Sequence, residues 1–172
     1  MREAPAPSGP SGPSAPSEPR TASEALCVRC GFCCDGTLFG HVPVSDDEAS
    51  SLPAPLAAVE REGGKTRLAF LQPCTAFRAQ CTVYEARPKT CRTYRCELLK
   101  AVEAGTHAAE DAAAIIARVH ERREAIERRV GEPFDTAKRS LVLNAARDVD
   151  AFLTLLAVEK DLDAYFRKHA EE

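Results

Sequence analysis

The sequence predicts a mainly α fold with a small irregular β element, in which a cysteine-rich module packs on a C-terminal helical segment. Three observations carry that expectation. All eight cysteines of the 172-residue chain fall between residues 27 and 96. Beyond Cys96 the apolar residues recur at helical spacing. Residues 1–24 hold six of the twelve prolines, with serine, glycine and alanine filling most of the rest. Residues 1–24 are therefore expected to form a disordered tail, 25–100 the cysteine module and 101–172 the helical segment.

The tail cannot bury enough apolar surface to offset the entropy of ordering it. Pro10, Pro13, Pro16 and Pro19 recur every third residue, a spacing that also suits a polyproline ligand for a partner domain. A solvated tail is the simpler reading.

Within the module, Thr37–Ser45 and Thr66–Leu71 are β-branched or aromatic enough to be short strands, with Gly63-Gly64 turning into the second. Between them Ser45 can cap a short helix whose first turn carries Asp46, Asp47 and Glu48, as the helix dipole favours. Pro53 and Pro55 should stop it. In the last third, Thr106 can cap a helix with a stripe of Ala109, Ala112, Ile116, Val119, Ile126 and Val130, ended by Gly131-Glu132-Pro133. A second helix is expected from about Asp135 to Ala157, with the stripe Leu141, Ala145, Val149, Phe152 and Leu156. A last one should carry Leu162, Tyr165 and Phe166.

No stretch of eighteen apolar residues is present, and the N-terminal run lacks the apolar core of a secretory signal, so a cytoplasmic protein without a membrane span is expected. In a reducing compartment a dense cysteine set points to metal or redox chemistry ahead of structural disulfides. Net charge is −3 overall. Residues 27–96 carry nine Lys and Arg against seven acids, and 97–172 carry twelve against sixteen. With the whole chain acidic, nucleic acid is not an expected partner.

Thiolates bind borderline and soft metals, and Cys27-x2-Cys30-x2-Cys33 has the local spacing of three sulfurs in ferredoxin-type iron–sulfur sites as well as the Cys-x2-Cys of zinc sites. Cys34, Cys74, Cys81, Cys91 and Cys96 supply further sulfurs. Successive side chains diverge, so Cys33 and Cys34 should do different jobs. Eight sulfurs make two four-sulfur sites, or one with the remainder free, bridging or redox-active, and spacing does not say which cysteines share an ion. Arg78, Arg87, Lys89, Arg92 and Arg95 can offset thiolate charge. Arg87 before Pro88 can hold its loop by bonding a carbonyl or carboxylate, and Tyr84 and Tyr94 should pack against the site. His41 is either a further ligand or a strand histidine. His107, His120 and His169 receive no role.

Gly31-x4-Gly36-Thr37 lacks the lysine of a phosphate-binding loop. Asp35 can accept a hydrogen bond in the turn after the double cysteine, but a single acid is no acid–base pair. No residues are assigned to catalysis, and a binding protein is expected ahead of an enzyme.

"CVRCGFCC" followed by "FLQPCTAFRAQCTVYEARPKTCRTYRC" resembles the CxxCxxCC (YkgJ-type) family of zinc- or iron-chelating cysteine-cluster proteins. The second stretch carries its pattern at Cys81, Tyr84, Arg87, Pro88, Cys91, Arg92, Tyr94 and Cys96. The resemblance covers about residues 27–96 and implies metal chelation by all eight cysteines, with zinc or iron, including a [4Fe–4S] cluster, as the cofactor. A flagellin lysine methylase is similar in carrying a related cysteine cluster. No Gly-rich cofactor loop supports methyl transfer in this chain, and that activity is not carried over. Three readings stay open: a zinc- or iron-binding protein whose helices meet a protein partner, an iron–sulfur protein serving electron transfer or a modification reaction, and a metal-free thiol redox protein.

Overall fold

The computed structural model of the protein describes residues 21–53, 56, 59–60 and 68–168. Most of the proline-rich tail and the Gly63-Gly64 turn lie outside the described residues. The described chain is mainly helical, with a small antiparallel sheet, as the sequence predicts.

Helix α1 spans Ala22–Cys30 and starts inside the stretch read as tail. The Thr21 hydroxyl accepts from the Glu24 N–H at 3.1 Å, and Leu26 is buried, so a cap and an apolar anchor order these residues. Gly31 ends the helix in the left-handed region, at φ 69°. A Cβ there would lie 2.6 Å from Phe77 Cζ, so both the backbone and the packing require glycine.

The sheet contains β1 (His41–Pro43), β2 (Val59–Glu60) and β3 (Leu68–Leu71), ordered β1-β3-β2 with antiparallel pairing. Val42 is paired in register with Phe70, and Val59 with Ala69. The first expected strand is present in shortened form, the second is present over Leu68–Leu71 with its expected start outside the described residues, and β2 is an addition. Helix α2 (Asp46–Ala49) forms on its expected cap, Ser45 Oγ accepting from Glu48 N–H at 3.3 Å, and ends before either proline. Val42, Leu56, Phe70 and Ala76 make a small core beneath this region.

Helices α3 (Lys89–Thr93) and α4 (Glu97–Glu103) lead into α5 (Ala109–Val130). Thr106 does not cap α5. Its hydroxyl donates to the Ala101 carbonyl at 3.0 Å, closing α4, and Ala108 takes the cap position without a side-chain bond. Ala112, Ile115, Ile116, Val119 and Ile126 are the buried face of α5, close to the expected stripe.

The long second helix is two helices. α6 (Phe134–Leu143) begins with its Phe134 N–H donating to Glu127 Oε1 at 2.9 Å, and ends before a 3-10 turn at Ala145–Arg147. α7 (Val149–Tyr165) restarts where Asp148 accepts from the Ala151 N–H at 3.0 Å, and it also contains the residues expected in a separate last helix, except Phe166 just beyond it. The break rotates the apolar pattern. α7 buries Ala151, Leu155, Val158 and Leu162, whereas Val149 and Leu156 of the expected stripe face outward. Each fully buried Leu stabilises by about 1.5–3 kcal/mol.

The main core joins α5, α6 and α7 to residues of the cysteine region, including Leu26, Phe32, Leu98 and Leu99. Cysteine region and helices therefore share one hydrophobic interior. No helix of the described residues is long and apolar enough to cross a membrane.

Candidate metal centre

Three stretches of chain, residues 27–34, 74–81 and 91–96, carry the eight cysteines. Cys27 and Cys30 lie three residues apart in the last turns of α1, on one face. A helix thus presents the first pair. After Gly31 the chain folds tightly, the Cys34 and Asp35 N–H groups both donating to the Gly31 carbonyl at 2.7 and 2.9 Å, which sets Cys33 and Cys34 on the turn. Cys74 is tied to that turn directly, since its N–H donates to the Cys34 carbonyl at 2.7 Å. Cys81 pairs with Phe77 in an isolated bridge, Cys91 sits in α3 and Cys96 is the N-cap of α4.

The sulfurs line two adjoining, largely apolar cavities. One, of about 60 Å³, touches Cys27, Cys30, Cys33, Cys34 and Cys96 beside Leu98 and Phe166 of the helical side. The other, of about 240 Å³, touches Cys27, Cys33, Cys34, Cys74, Cys81 and Cys91 beside the sheet. All eight thiols are free, seven are half-buried and Cys27 is exposed. Among the described residues no three His, Cys, Asp or Glu side chains already converge closely enough to hold an ion. The thiols are gathered but not locked together.

Burial raises the Cys27 thiol. It pushes Cys34 up to about 12 and Cys91 up to about 11, with neighbouring sulfurs adding to the rise. Cys30, Cys33, Cys74 and Cys96 move the same way for the same first reason. Backbone donors oppose it. Leu99 N–H points at Cys96 Sγ at 3.4 Å, and N–H groups of Phe32 and of Ala76 and Phe77 lower Cys30 and Cys74. Arg78 acts on Cys74, Arg95 on Cys27, and Arg87 on both Cys27 and Cys91. This donor set suits a thiophilic cation: the ion would stabilise thiolates that burial disfavours, while N–H groups already point at sulfur and guanidinium charges favour the thiolate form.

Arg87 holds its loop through a carbonyl. Its Nε donates to Tyr84 O at 2.8 Å, and its guanidinium lies 3.4 Å above the Tyr84 ring centre. Tyr94 lines both cavities and meets Phe39 edge-on at 5.1 Å. Of the basic run, Lys89 contributes its backbone N–H to Glu48 Oε1. His41 lies in β1, half-buried on the wall of the larger cavity.

Two residues of α5 act on the cysteine turn and carry no signal in the sequence reading. His120 Nε2 lies 2.9 Å from the Cys30 carbonyl, and its ring packs on Phe32 at 4.6 Å. Arg123, one turn further, pairs with Asp35 Oδ2, while Asp35 Oδ1 accepts from the Thr37 N–H at 2.9 Å and its hydroxyl at 2.5 Å. Both sit in the run "VHERRE", which reads as a charged solvent face. Only the position of Phe32 and Asp35 beneath α5 reveals their role.

Fold and site together define a cysteine-cluster domain in which a helical core supports a gathered set of thiols. The chain matches the family model CxxCxxCC, "Putative zinc- or iron-chelating domain", over residues 26–125, more than half its length, and it belongs to that family. The matched region extends past Cys96 and takes in His120 and Arg123. Searches of curated proteins and of solved structures return no match.

Proposed function

We propose that the protein binds zinc or iron through the thiolates of Cys27, Cys30, Cys33, Cys34, Cys74, Cys81, Cys91 and Cys96, in a reducing compartment, and that holding the metal is its function. One observation carries this reading: eight free thiols from three stretches of chain line two adjoining apolar cavities, with backbone N–H groups directed at three of the sulfurs and arginine charges acting on the site. When bound, zinc would contribute a redox-inert clamp, and iron a centre able to exchange electrons. The chain's own part is to keep the thiols together, limit water at them and offset their charge. Tyr94 and Phe39 wall the site, Arg87 and Arg95 supply positive charge, and His120 and Arg123 fix the turn carrying Cys30 to Asp35.

A second reading, an iron–sulfur protein, is favoured by the larger cavity. Its volume of about 240 Å³ beside six sulfurs exceeds what a single ion needs. The deciding measurement is metal and acid-labile sulfide content per chain, with the absorption spectrum, on protein purified without oxygen and without added metal. Zinc in a colourless protein supports the first reading. Iron with matching sulfide and a brown colour supports the second. Protein that binds neither metal, even when reduced and offered both, refutes the chelation reading.

A further inference from the structure

The eight sulfurs are not equivalent in their surroundings. Cys30 and Cys96 pack against the main helical core, whereas Cys74 and Cys91 pack against the small core under the sheet. The smaller cavity touches Cys30 and Cys96 and none of Cys74, Cys81 or Cys91. The larger touches those three and neither Cys30 nor Cys96. Helix α1 lies against α4, which brings its cysteine face towards the cap of α4 at Cys96. On the other side, the Cys74 N–H bond to the Cys34 carbonyl ties the second segment to Cys34. Cys33 and Cys34 are adjacent on one turn, and each touches both cavities.

We propose that the thiols form two separate four-sulfur sites, Cys27, Cys30, Cys33 and Cys96 against the helical core and Cys34, Cys74, Cys81 and Cys91 against the sheet, divided by the Cys33–Cys34 peptide. This partition rests on the chelation reading above and goes beyond it by saying which sulfurs share an ion. Cys27 reaches both cavities, and its place three residues before Cys30 on one helix face assigns it to the first site. Adjacent cysteines then have a plain purpose: one short turn contributes a ligand to each site and holds the two at a fixed separation.

The test uses the full chain loaded with cadmium-113 as a spectroscopic substitute for a thiophilic ion. Two cadmium resonances are expected, each coupled to the β-protons of its own four cysteines, with no coupling between the metals. Cadmium–cadmium coupling, or one cadmium coupled to cysteines from both sets, overturns the partition, because the sulfurs would then be shared. A chain that binds no cadmium, zinc or iron overturns the chelation reading itself and the partition with it. Paired variants give an independent readout. Cys30→Ser/Cys96→Ser and Cys74→Ser/Cys91→Ser should each lose one of two cadmium ions and keep the other resonance in place, whereas Cys30→Ser/Cys74→Ser should weaken both. The same loss from all three pairs overturns the partition. The wild-type spectrum decides the matter even where a variant fails to fold.

Discussion

Replacing Arg123 by Met removes a guanidinium from the junction of α5 and the cysteine turn while keeping much of the aliphatic stem. The side chains of Arg123 and Asp35 are only 12% and 16% exposed, so water substitutes poorly for the lost partner. Breaking a buried ion pair costs about 3–5 kcal/mol. Asp35 keeps two hydrogen bonds from Thr37, which continue to hold its charge, and this brings the expected cost down to about 2–3 kcal/mol. For a chain of this length that corresponds to a fall of about 4–12 °C in thermal midpoint. Asp35→Asn removes the charge and retains an acceptor for Thr37, so it should cost less. The assay is a double-mutant cycle of Arg123→Met and Asp35→Asn, followed by thermal and urea unfolding of all four proteins at equal metal load. A coupling of about 1.5–2 kcal/mol is expected for a directly bonded, largely buried pair. Coupling below about 0.5 kcal/mol would refute the reasoning, since the two groups would then act independently.

Three further outcomes are expected. Arg87→Ala removes a cation beside Cys27 and Cys91 and should speed metal loss to a chelator; unchanged metal content and chelator resistance would reject a supporting role. Gly31→Ala combines a positive φ with a Cβ 2.6 Å from Phe77 Cζ, and should cost about 2–4 kcal/mol, part of it recovered by adding Phe77→Leu; unfolding midpoints of the single and double variants check this. Arg129 holds the Asp148 carboxyl below its ordinary value, aided by the Ala151 N–H. Its contribution to stability is therefore complete above the unfolded pKa of about 3.9 and is lost as pH falls through the lower folded value. Carboxyl-carbon NMR should show Asp148 titrating below an ordinary aspartate, and Arg129→Ala should move it back up; an unchanged titration would remove Arg129 as the cause.

The parts of the fold legible in the sequence are those where local chemistry and burial agree. Ser45 with its acids gave α2, and the α5 stripe fell on the buried face because one helix runs unbroken from Ala109 to Val130. The break between α6 and α7 was hidden because Ala145, Val149 and Leu156 continue the apolar spacing across it, and only the Asp148 cap and the packing of Leu155 and Val158 show the true phase. At the site, the cysteines were plain from composition and the Arg87 loop from its Arg-Pro. The helical setting of Cys27 and Cys30 was not, since it depends on Thr21 and on Leu26 entering a core made much later in the chain. His120 and Arg123 were invisible for a similar reason: a polar residue that bonds across some 90 positions looks, in sequence, like one that faces water.

That separation also bears on how the protein is made. Cys27, Cys30, Cys33 and Cys34 are synthesised well before the two α5 side chains that hold their turn against the helical core. The Cys30 carbonyl waits 90 positions for His120, and Asp35 waits 88 for Arg123. At translation rates of about 5–20 residues per second, the gap lasts about 5–20 seconds. Throughout it the leading thiols are available to any oxidant or stray cation, and α1 lacks the helix it packs against. The order of synthesis thus makes the vulnerable half of the cluster wait for its scaffold, so the redox state of the nascent chain's surroundings becomes part of what determines the yield of correctly assembled protein.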